Sequence, residues 1–267
     1  METDPLNATL LERHDLTDRL SIVRVQPDSG RVPPFRPGQF FRLGLPRGAA
    51  SDPKSAGLTH TGRVRMTRRA YSVASAPEVT AWAEFFVVLV EEGKLTPRLW
   101  EIVPGDRLWM DGEAKGEFTL ELAPPDRDLV MVSTGTGIAP FVSMLRAYRG
   151  QRRWRRFVLI HGVRRAAELA YRAEIETMAR EDRSVVYIPI VSREAPVAGE
   201  LRGRVQAALE PGTYEHIVGA PLTPDQCDVF LCGNPQMIDE VEELLTARGF
   251  VADTHQRRGN LHFERYW

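Results

Sequence analysis

A glycine-rich turn after an apolar run is the first feature of this sequence that could bind a ligand. The run DLVMVS is followed by Thr134-Gly135-Thr136-Gly137 and then by the helical stretch IAPFVSMLRAYR. Glycines at alternate positions of such a turn let backbone N–H groups approach an anion at the helix N-terminus. Most tight strand-to-helix turns use glycine, so this turn alone indicates either a phosphate site or a plain connection.

Two later apolar runs also end in residues with chemical potential. The run SVVYIPIV is followed by Ser192 and Arg193, with Arg204 shortly after, and guanidinium groups bind oxyanions bidentately. The run DVFL is followed by Cys232 and Gly-Asn-Pro-Gln-Met. A buried cysteine is usually a small apolar residue, so Cys232 by itself predicts no reaction.

These residues belong to a segment that alternates apolar strands with helices. The predicted strands are DLVMVSTG, RFVLIHGV, SVVYIPIVSR and DVFLCG, and the predicted helices are IAPFVSMLRAYR, AELAYRAEIETMAR, RVQAALE and PQMIDEVEELLTARG. Strands that are apolar throughout and joined by helices are typical of a parallel sheet covered on both faces. Ligands of such sheets bind beyond the carboxyl ends of the strands, where the residues above are expected.

The first half of the chain has the pattern of an antiparallel sheet or barrel. Short alternating runs separated by turn residues are LSIVRVQP, GQFFRLGL, RRAYSVASA, AEFFVVLVEE, GDRLWMDGEA and GEFTLEL. A helix is predicted over TPRLWEIV, because Thr96 and Pro97 are good starting residues and a Pro-Gly pair stops it. The segment 47–65 is rich in Gly, Ser, Pro and Arg and is predicted as a long solvated loop.

Composition excludes several other classes of chemistry. The 267 residues carry a formal net charge of -1, so sequence-independent nucleic-acid binding is not expected. Two cysteines are too few for an iron–sulfur cluster or a structural zinc site. No two of His161, His216, His255 and His262 have a metal-ligand spacing such as i, i+4. We therefore predict no metal centre, and any redox chemistry must use an organic cofactor.

Four motifs in a fixed order carry a resemblance to a known family. They are Arg69-Ala70-Tyr71-Ser72, Gly93-Lys94-Leu95-Thr96, the Thr-Gly-Thr-Gly-Ile-Ala-Pro turn and Cys-Gly-Asn-Pro-Gln-Met, and the last residues read HFERYW. From about Gly38 to Trp267 the chain resembles ferredoxin–NADP reductases, most closely the bacterial ferredoxin/flavodoxin–NADP reductases. The resemblance implies two domains: an antiparallel β-barrel FAD-binding domain, residues 1–123, and an α/β parallel-sheet NADP-binding domain, residues 126–267, whose C-terminal tail returns to the flavin.

The resemblance implies that the first motif contacts FAD. Arg69 would bind the pyrophosphate, Tyr71 would pack on the isoalloxazine ring and Ser72 would place its hydroxyl beside flavin N5, with Ala70 between them in the binding strand.

The second motif would offer backbone N–H groups to a phosphate at the start of the barrel helix. Gly93, Lys94, Leu95 and Thr96 occupy these positions, where the helix dipole favours an anion. The alternative is that Thr96 is only a helix cap.

On the NADP side, the resemblance implies that the glycine-rich turn cradles the dinucleotide and that arginines bind its 2′-phosphate. An NAD-specific site would place a carboxylate where this chain has Ser192 and Arg193. The residues expected to bind NADP(H) are Thr134, Gly135, Thr136, Gly137, Arg164, Ser192, Arg193 and Arg204.

The expected reaction is hydride transfer between nicotinamide and FAD, followed by one-electron exchange with a protein carrier. Ser72, Cys232 and Glu264 are the catalytic candidates, expected to tune geometry and protonation. The resemblance places Tyr266 or Trp267 against the flavin ring or the adenine, and the choice stays open.

The expected partner is an acidic ferredoxin or flavodoxin, which would need a positively charged rim. Candidate rim residues are Arg63, Arg65, Arg68, Arg257 and Arg258. No signal peptide or spanning segment is visible, so we expect a cytoplasmic protein with no membrane association, and we expect a monomer.

Two alternative functions share this two-domain core. The chain could be the reductase partner of an oxygenase system, although such components generally carry a further four-cysteine domain. It could also be a flavin electron-transfer subunit without NADP(H) turnover, against which the intact Arg193 and Arg204 argue.

Overall fold

The computed structural model describes residues 6–47, 65–197 and 199–266, and for Leu122 the backbone alone. The chain divides into two units, Met1–Glu117 and Phe118–Trp267. Of the predicted loop 47–65, residues 48–64 lie outside the described residues, as do Arg63 of the expected rim and Trp267.

The first unit is a six-stranded antiparallel sheet that closes into a barrel. Its strands are β1 (Ala8–Thr17), β2 (Leu20–Pro27), β3 (Phe40–Pro46), β4 (Met66–Ser72), β5 (Ala83–Val88) and β6 (Arg107–Met110). Their order is β4-β3-β6-β1-β2-β5. The two outer strands meet where Val73, just after β4, pairs with Phe85 of β5. Inward-facing apolar side chains, among them Phe41, Leu43 and Met110, fill the interior.

Strand β1 has no counterpart among the predicted strands. Only Ala8 and Leu10 follow a clear inward alternation, because a register shift between Leu10 and Glu12 interrupts the pairing with β2. The period-2 pattern that reveals a half-buried strand is therefore broken within it.

The predicted helix TPRLWEIV is mostly wrong. It forms a single turn, α1 (Thr96–Leu99). The guanidinium of Arg13 donates hydrogen bonds to the carbonyls of Trp100 (2.9 Å) and Ile102 (3.4 Å), so these carbonyls are bonded by a side chain of β1 and not by a longer helix.

The predicted strand GEFTLEL is also wrong, since its last three residues form one 3-10 turn. The alternating apolar residues are buried in the second unit instead of pairing in a sheet. The Phe118 ring is tilted against the Phe141 ring, with centroids 5.8 Å apart, and meets the Phe230 ring edge-on, with centroids 5.6 Å apart.

The second unit is a parallel sheet with helices between its strands, as the sequence predicts, but it has six strands and not the four predicted. Its strands are β7 (Asp128–Thr134), β8 (Arg156–Val163), β9 (Val185–Val191), β10 (Leu201–Arg202), β11 (Cys227–Gly233) and β12 (Leu261–Arg265), and its helices are α2 (Ala139–Tyr148), α3 (Arg172–Glu181), α4 (Gln206–Leu209), α5 (Pro211–Val218) and α6 (Pro235–Thr246). The sheet order is β10-β9-β8-β7-β11-β12. The chain thus starts in the middle, builds one side through β10 and returns to build the other, so the switch point lies between β7 and β11.

Local sequence explains where α6 begins and which face it buries. Asn234 caps the helix by accepting a 2.8 Å hydrogen bond from the Gln236 amide, and Pro235 occupies the first turn. Its buried face comprises Met237, Ile238, Val241 and Leu245. Helix α5 and strand β10 were not among the predicted elements. Within the described ranges, no helix is long and apolar enough to cross a membrane.

Candidate functional site

In the first unit, strand β4 carries the Arg-Ala-Tyr-Ser motif, which combines exposed and buried side chains. Arg69 and Ala70 are exposed and Ser72 is buried. The Arg69 guanidinium donates to the Arg68 carbonyl (2.8 Å) and has no carboxylate partner among the described residues. It therefore remains able to bind an anion.

Tyr71, paired in register with Phe41, presents a buried hydroxyl that has no hydrogen-bond partner among the described residues. Burial raises the pKa of this phenol, so the hydroxyl stays protonated. A buried, unpaired hydroxyl costs free energy unless a ligand satisfies it. The orphaned oxygen of Tyr71 therefore fits the edge of a bound polar cofactor.

The second motif forms a tight turn leading into α1. Gly93 is required there, because a Cβ would lie 2.8 Å from the Val90 carbonyl oxygen and 3.1 Å from Thr96 Oγ1. Lys94 is exposed, whereas Leu95 is buried in the barrel core.

The alternative interpretation of Thr96 as a helix cap is wrong. Thr96 is the first helical residue, and its hydroxyl accepts from the Val90 amide and donates to the Val90 carbonyl, both at 3.0 Å. It ties the two ends of the turn together, so its hydroxyl is already satisfied and only the turn's backbone remains for a phosphate.

In the second unit, the glycine-rich turn packs closely against the end of β11 at the switch point. A Cβ on Gly137 would lie 2.3 Å from the Cys232 carbonyl oxygen, and a Cβ on Gly233 would lie 2.5 Å from Thr134 Oγ1. The Asn234 amide donates to that same Thr134 hydroxyl (3.1 Å). Gly135 has a φ of +52° and begins the 3-10 turn Gly135–Ile138 that leads into α2. Glycine is needed here for close approach and for the left-handed backbone.

The arginines expected to bind a phosphate lie after β8, β9 and β10. Arg193 and Arg164 are adjacent, because the Arg193 amide donates to the Arg164 carbonyl (2.9 Å). Both side chains are exposed and have no carboxylate partner among the described residues. The Ser192 hydroxyl donates to the Val163 carbonyl at 3.1 Å. Glu194 follows Arg193 in the chain, and its carboxylate accepts a hydrogen bond from the Ala166 amide.

Arg204 differs from Arg164 and Arg193 because it is already paired. Its guanidinium lies 3.3 Å from Glu240 and its side chain is 70% exposed, so the ion pair is weak and exchangeable. The sequence did not suggest Glu240, which also accepts from the side chains of Gln206 and Gln236.

Two of the catalytic candidates meet on neighbouring strands. Cys232 and Glu264 pair in the parallel register of β11 and β12, with Cys232 Sγ 3.9 Å from Glu264 Oε2. The Tyr266 amide donates to the Gly233 carbonyl (3.1 Å), and the Tyr266 side chain hydrogen-bonds Cys232. Burial, and then the charge of Glu264, raise the pKa of the Cys232 thiol well above its ordinary value. Cys232 is therefore a neutral thiol. The third candidate, Ser72, belongs to the first unit.

Cys227, at the other end of β11, is also fully buried, and both cysteines are free thiols. Burial raises the pKa of Cys227 to about 11. It lies at the amino end of the strand, away from the ligand edge, and packs in the apolar core of the second unit.

Comparison with known proteins first defines the class. Residues 131–243 match the family model described as "Oxidoreductase NAD-binding domain". This match covers the glycine-rich turn, the arginines and the Cys232 end of β11, so the second unit is a nicotinamide-dinucleotide domain of the oxidoreductase class.

Whole-chain relatives identify the family. The flavodoxin/ferredoxin–NADP reductase of Escherichia coli is 34% identical over 237 residues, 88% of this chain and 89% of the relative. The ferredoxin–NADP reductase of Azotobacter vinelandii is 36% identical over 224 residues, 80% of each chain. A crystal structure of a ferredoxin NADP+ reductase from Neisseria gonorrhoeae with bound FAD and NADP has a TM-score of 0.83 and 27% identity, covering 98% of this chain and 99% of that one. The chain belongs to the flavodoxin/ferredoxin–NADP reductase family, which confirms the resemblance and the fold class expected from the sequence.

Proposed function

We propose that this chain is an FAD-dependent oxidoreductase that exchanges electrons between NADP(H) and ferredoxin or flavodoxin. The observation that carries the proposal is the switch point of the second unit. There a glycine-rich turn meets a neutral thiol, Cys232, with Glu264 beside it, in a chain that belongs to this reductase family.

The residues present fit FAD on the first unit. The unpaired hydroxyl of Tyr71 offers a polar contact, the exposed guanidinium of Arg69 suits a pyrophosphate, and the turn at Gly93 presents backbone amides. Ala70, Lys94 and Leu95 would contribute backbone atoms to FAD binding, and Ser72 would place its hydroxyl near the flavin. Bound FAD would accept a hydride from nicotinamide and release the electrons singly to a protein carrier.

The chain's own part in the reaction would be to orient the nicotinamide and to provide a proton-exchanging group near it. Cys232, buried and protonated, would border the nicotinamide as a neutral side chain. Glu264, partly exposed beside it, would exchange protons with solvent when the carrier is reduced or oxidised. Tyr266 lies next to the thiol, and with Trp267 it would cover aromatic parts of the cofactors.

Preference for NADP(H) over NAD(H) would come from the exposed guanidinium groups of Arg193 and Arg164. Ser192, whose hydroxyl bonds the end of β8, would lie beside them. Neither arginine has to break an ion pair with a described residue in order to bind a phosphate. Arg204 would have to leave Glu240, an exposed pair that costs little to break.

We also propose that the protein carrier is acidic, and that this protein is a monomer in the cytoplasm. The exposed guanidinium groups of Arg65, Arg257 and Arg258 support an acidic partner. Arg68 is a weaker candidate, since its guanidinium stacks on Trp109, 3.8 Å from the ring centroid.

An anaerobic titration of the flavin absorbance with NADPH, and separately with NADH, tests the function. We expect about one equivalent of NADPH to bleach the flavin fully and NADH to be poor. Arg193→Ala should weaken NADPH about tenfold or more and leave NADH unchanged, because only the 2′-phosphate contact is lost. A flavin that neither nucleotide bleaches would instead support an electron-transfer subunit without NADP(H) turnover.

A further inference from the structure

His161 is a buried polar side chain that the proposed hydride-transfer chemistry does not use. It is fully buried near the carboxyl end of β8, in register with Ser133 of β7 and Pro189 of β9. Buried polar groups of this kind are almost always hydrogen-bonded, and their partners show what the group holds in place.

Both ring nitrogens of His161 have a partner. Nε2 lies 3.2 Å from the carbonyl oxygen of Gly135, and Nδ1 lies 3.4 Å from the Tyr187 hydroxyl. A carbonyl can only accept, so Nε2 must carry the proton. In the neutral ring Nδ1 then accepts from the Tyr187 hydroxyl, which can donate.

The ring is neutral at physiological pH. Burial lowers the pKa of His161 to about 4, although the hydrogen bond to Gly135 opposes that shift. Burial also raises the pKa of Tyr187, so its hydroxyl stays protonated and able to donate. The two groups therefore form one fixed donor chain that runs from Tyr187 through His161 to Gly135.

The hydrogen bond to Gly135 sets the direction of the next amide. In a trans peptide the C=O and N–H groups point in opposite directions, so anchoring the Gly135 carbonyl fixes where the Thr136 N–H points. This N–H lies in the first turn of the 3-10 segment Gly135–Ile138, where amides have no partner within the helix. On the other side, Gly137 packs against Cys232. The turn is thus held from both neighbouring strands.

We propose that His161 is a positioning residue for dinucleotide binding, whose Nε2–H holds the Gly135–Thr136 peptide in the orientation that presents the Thr136 amide to the nucleotide. The Tyr187 hydroxyl satisfies the other ring nitrogen, Nδ1. The inference rests on the proposed function, since the nucleotide it concerns is NADP(H).

The test compares the Kd for NADP+, measured by difference absorbance of the flavin, in the wild-type holoenzyme and three variants. His161→Leu removes the donor, whereas His161→Gln keeps an N–H at nearly the same distance from the backbone. Tyr187→Phe removes only the hydrogen bond to Nδ1 and is the matched control. Nitrogen NMR of the ligand-free protein at about neutral pH identifies the protonated ring nitrogen directly.

We expect His161→Leu to raise the Kd for NADP+ about tenfold, and the KM for NADPH and NADH by the same factor, because the turn binds the part that both nucleotides share. His161→Gln and Tyr187→Phe should stay within about threefold of wild type. NMR should find the proton on Nε2.

Three results would overturn the inference: wild-type affinity in His161→Leu, equal losses in the Leu and Gln variants, or a proton on Nδ1. Equal losses would mean that ring packing and not the donated hydrogen bond is what matters. Failure of the proposed function is a different result, since the wild-type protein itself would then not bind NADP+.

Discussion

Replacement of Gly137 by alanine should disable the nucleotide site without removing the flavin. The new Cβ would lie 2.3 Å from the carbonyl oxygen and 2.6 Å from the carbonyl carbon of Cys232, and 2.9 Å from the Gly233 Cα. These are backbone atoms, which cannot swing aside as a flexible side chain can. Restoring ordinary contact requires the turn and the end of β11 to separate by about 1 Å.

The size of the effect follows from that separation. Displacing a binding element by about 1 Å can cost about a hundredfold in rate, so flavin reduction by NADPH should slow by about that factor. Overpacking of this kind should also lower the free energy of unfolding by about 1–3 kcal/mol. FAD content should change little, because Arg69 and Tyr71, which would hold the pyrophosphate and the isoalloxazine ring, belong to the first unit.

Anaerobic stopped-flow absorbance of the flavin measures the reduction rate, and thermal unfolding measures the stability. Gly150→Ala is the matched control: its Cβ would meet no atom within 4 Å and its φ is not positive. Wild-type reduction kinetics in Gly137→Ala would refute the argument that the turn and Cys232 form one site.

Three further variants test single groups. Ser72→Ala should slow flavin reduction by NADPH about tenfold and keep FAD bound, and an unchanged single-turnover rate would remove Ser72 from the reaction. Tyr71→Phe should leave the apoprotein as stable as wild type, because the hydroxyl has no hydrogen-bond partner among the described residues, and should weaken FAD binding about tenfold in a fluorescence titration. Equal FAD affinity would contradict the cofactor contact. Burial raises the pKa of Asp111, but hydrogen bonds from Arg42 outweigh it and hold that pKa below its ordinary value. The resulting stabilisation is complete above about pH 4, the pKa of an unfolded aspartate, and is lost as the pH falls through the lower pKa of the folded state. Asp111→Asn should therefore lower the free energy of unfolding by about 2 kcal/mol at neutral pH and by much less near pH 2. A pH-independent difference in denaturant melts would argue against the ion pair.

The sequence predicted those parts of the fold whose signal is local. The strands of the parallel sheet are continuous apolar runs, and RFVLIHGV was predicted with the bounds that β8 has. Prediction from the sequence failed where contacts between residues distant in the chain override a local pattern. Phe118 alternates with Leu120 as in a strand, yet it packs on Phe141 and Phe230.

In the candidate site, too, local features could be predicted from the sequence and contacts between distant residues could not. The glycine-rich turn and Cys232 could be found from their positions after apolar runs. The sequence could not reveal that β12 adds beside β11 in a register that opposes Cys232 and Glu264, since pairing of strands distant in the chain leaves no local pattern. The contact of Tyr187 with His161 joins residues 26 apart, and nothing in either segment indicates it.

The burial of both cysteines has a practical consequence for labelling chemistry. Maleimides and other alkylating reagents attack thiolates, and neither native thiol is exposed or ionised at neutral pH. A cysteine introduced at an exposed position outside the proposed site, such as Glu215, would therefore be the one reactive thiol on the folded protein. Fluorophores or spin labels can be attached there in the native background, without first replacing Cys232 and disturbing the site under study.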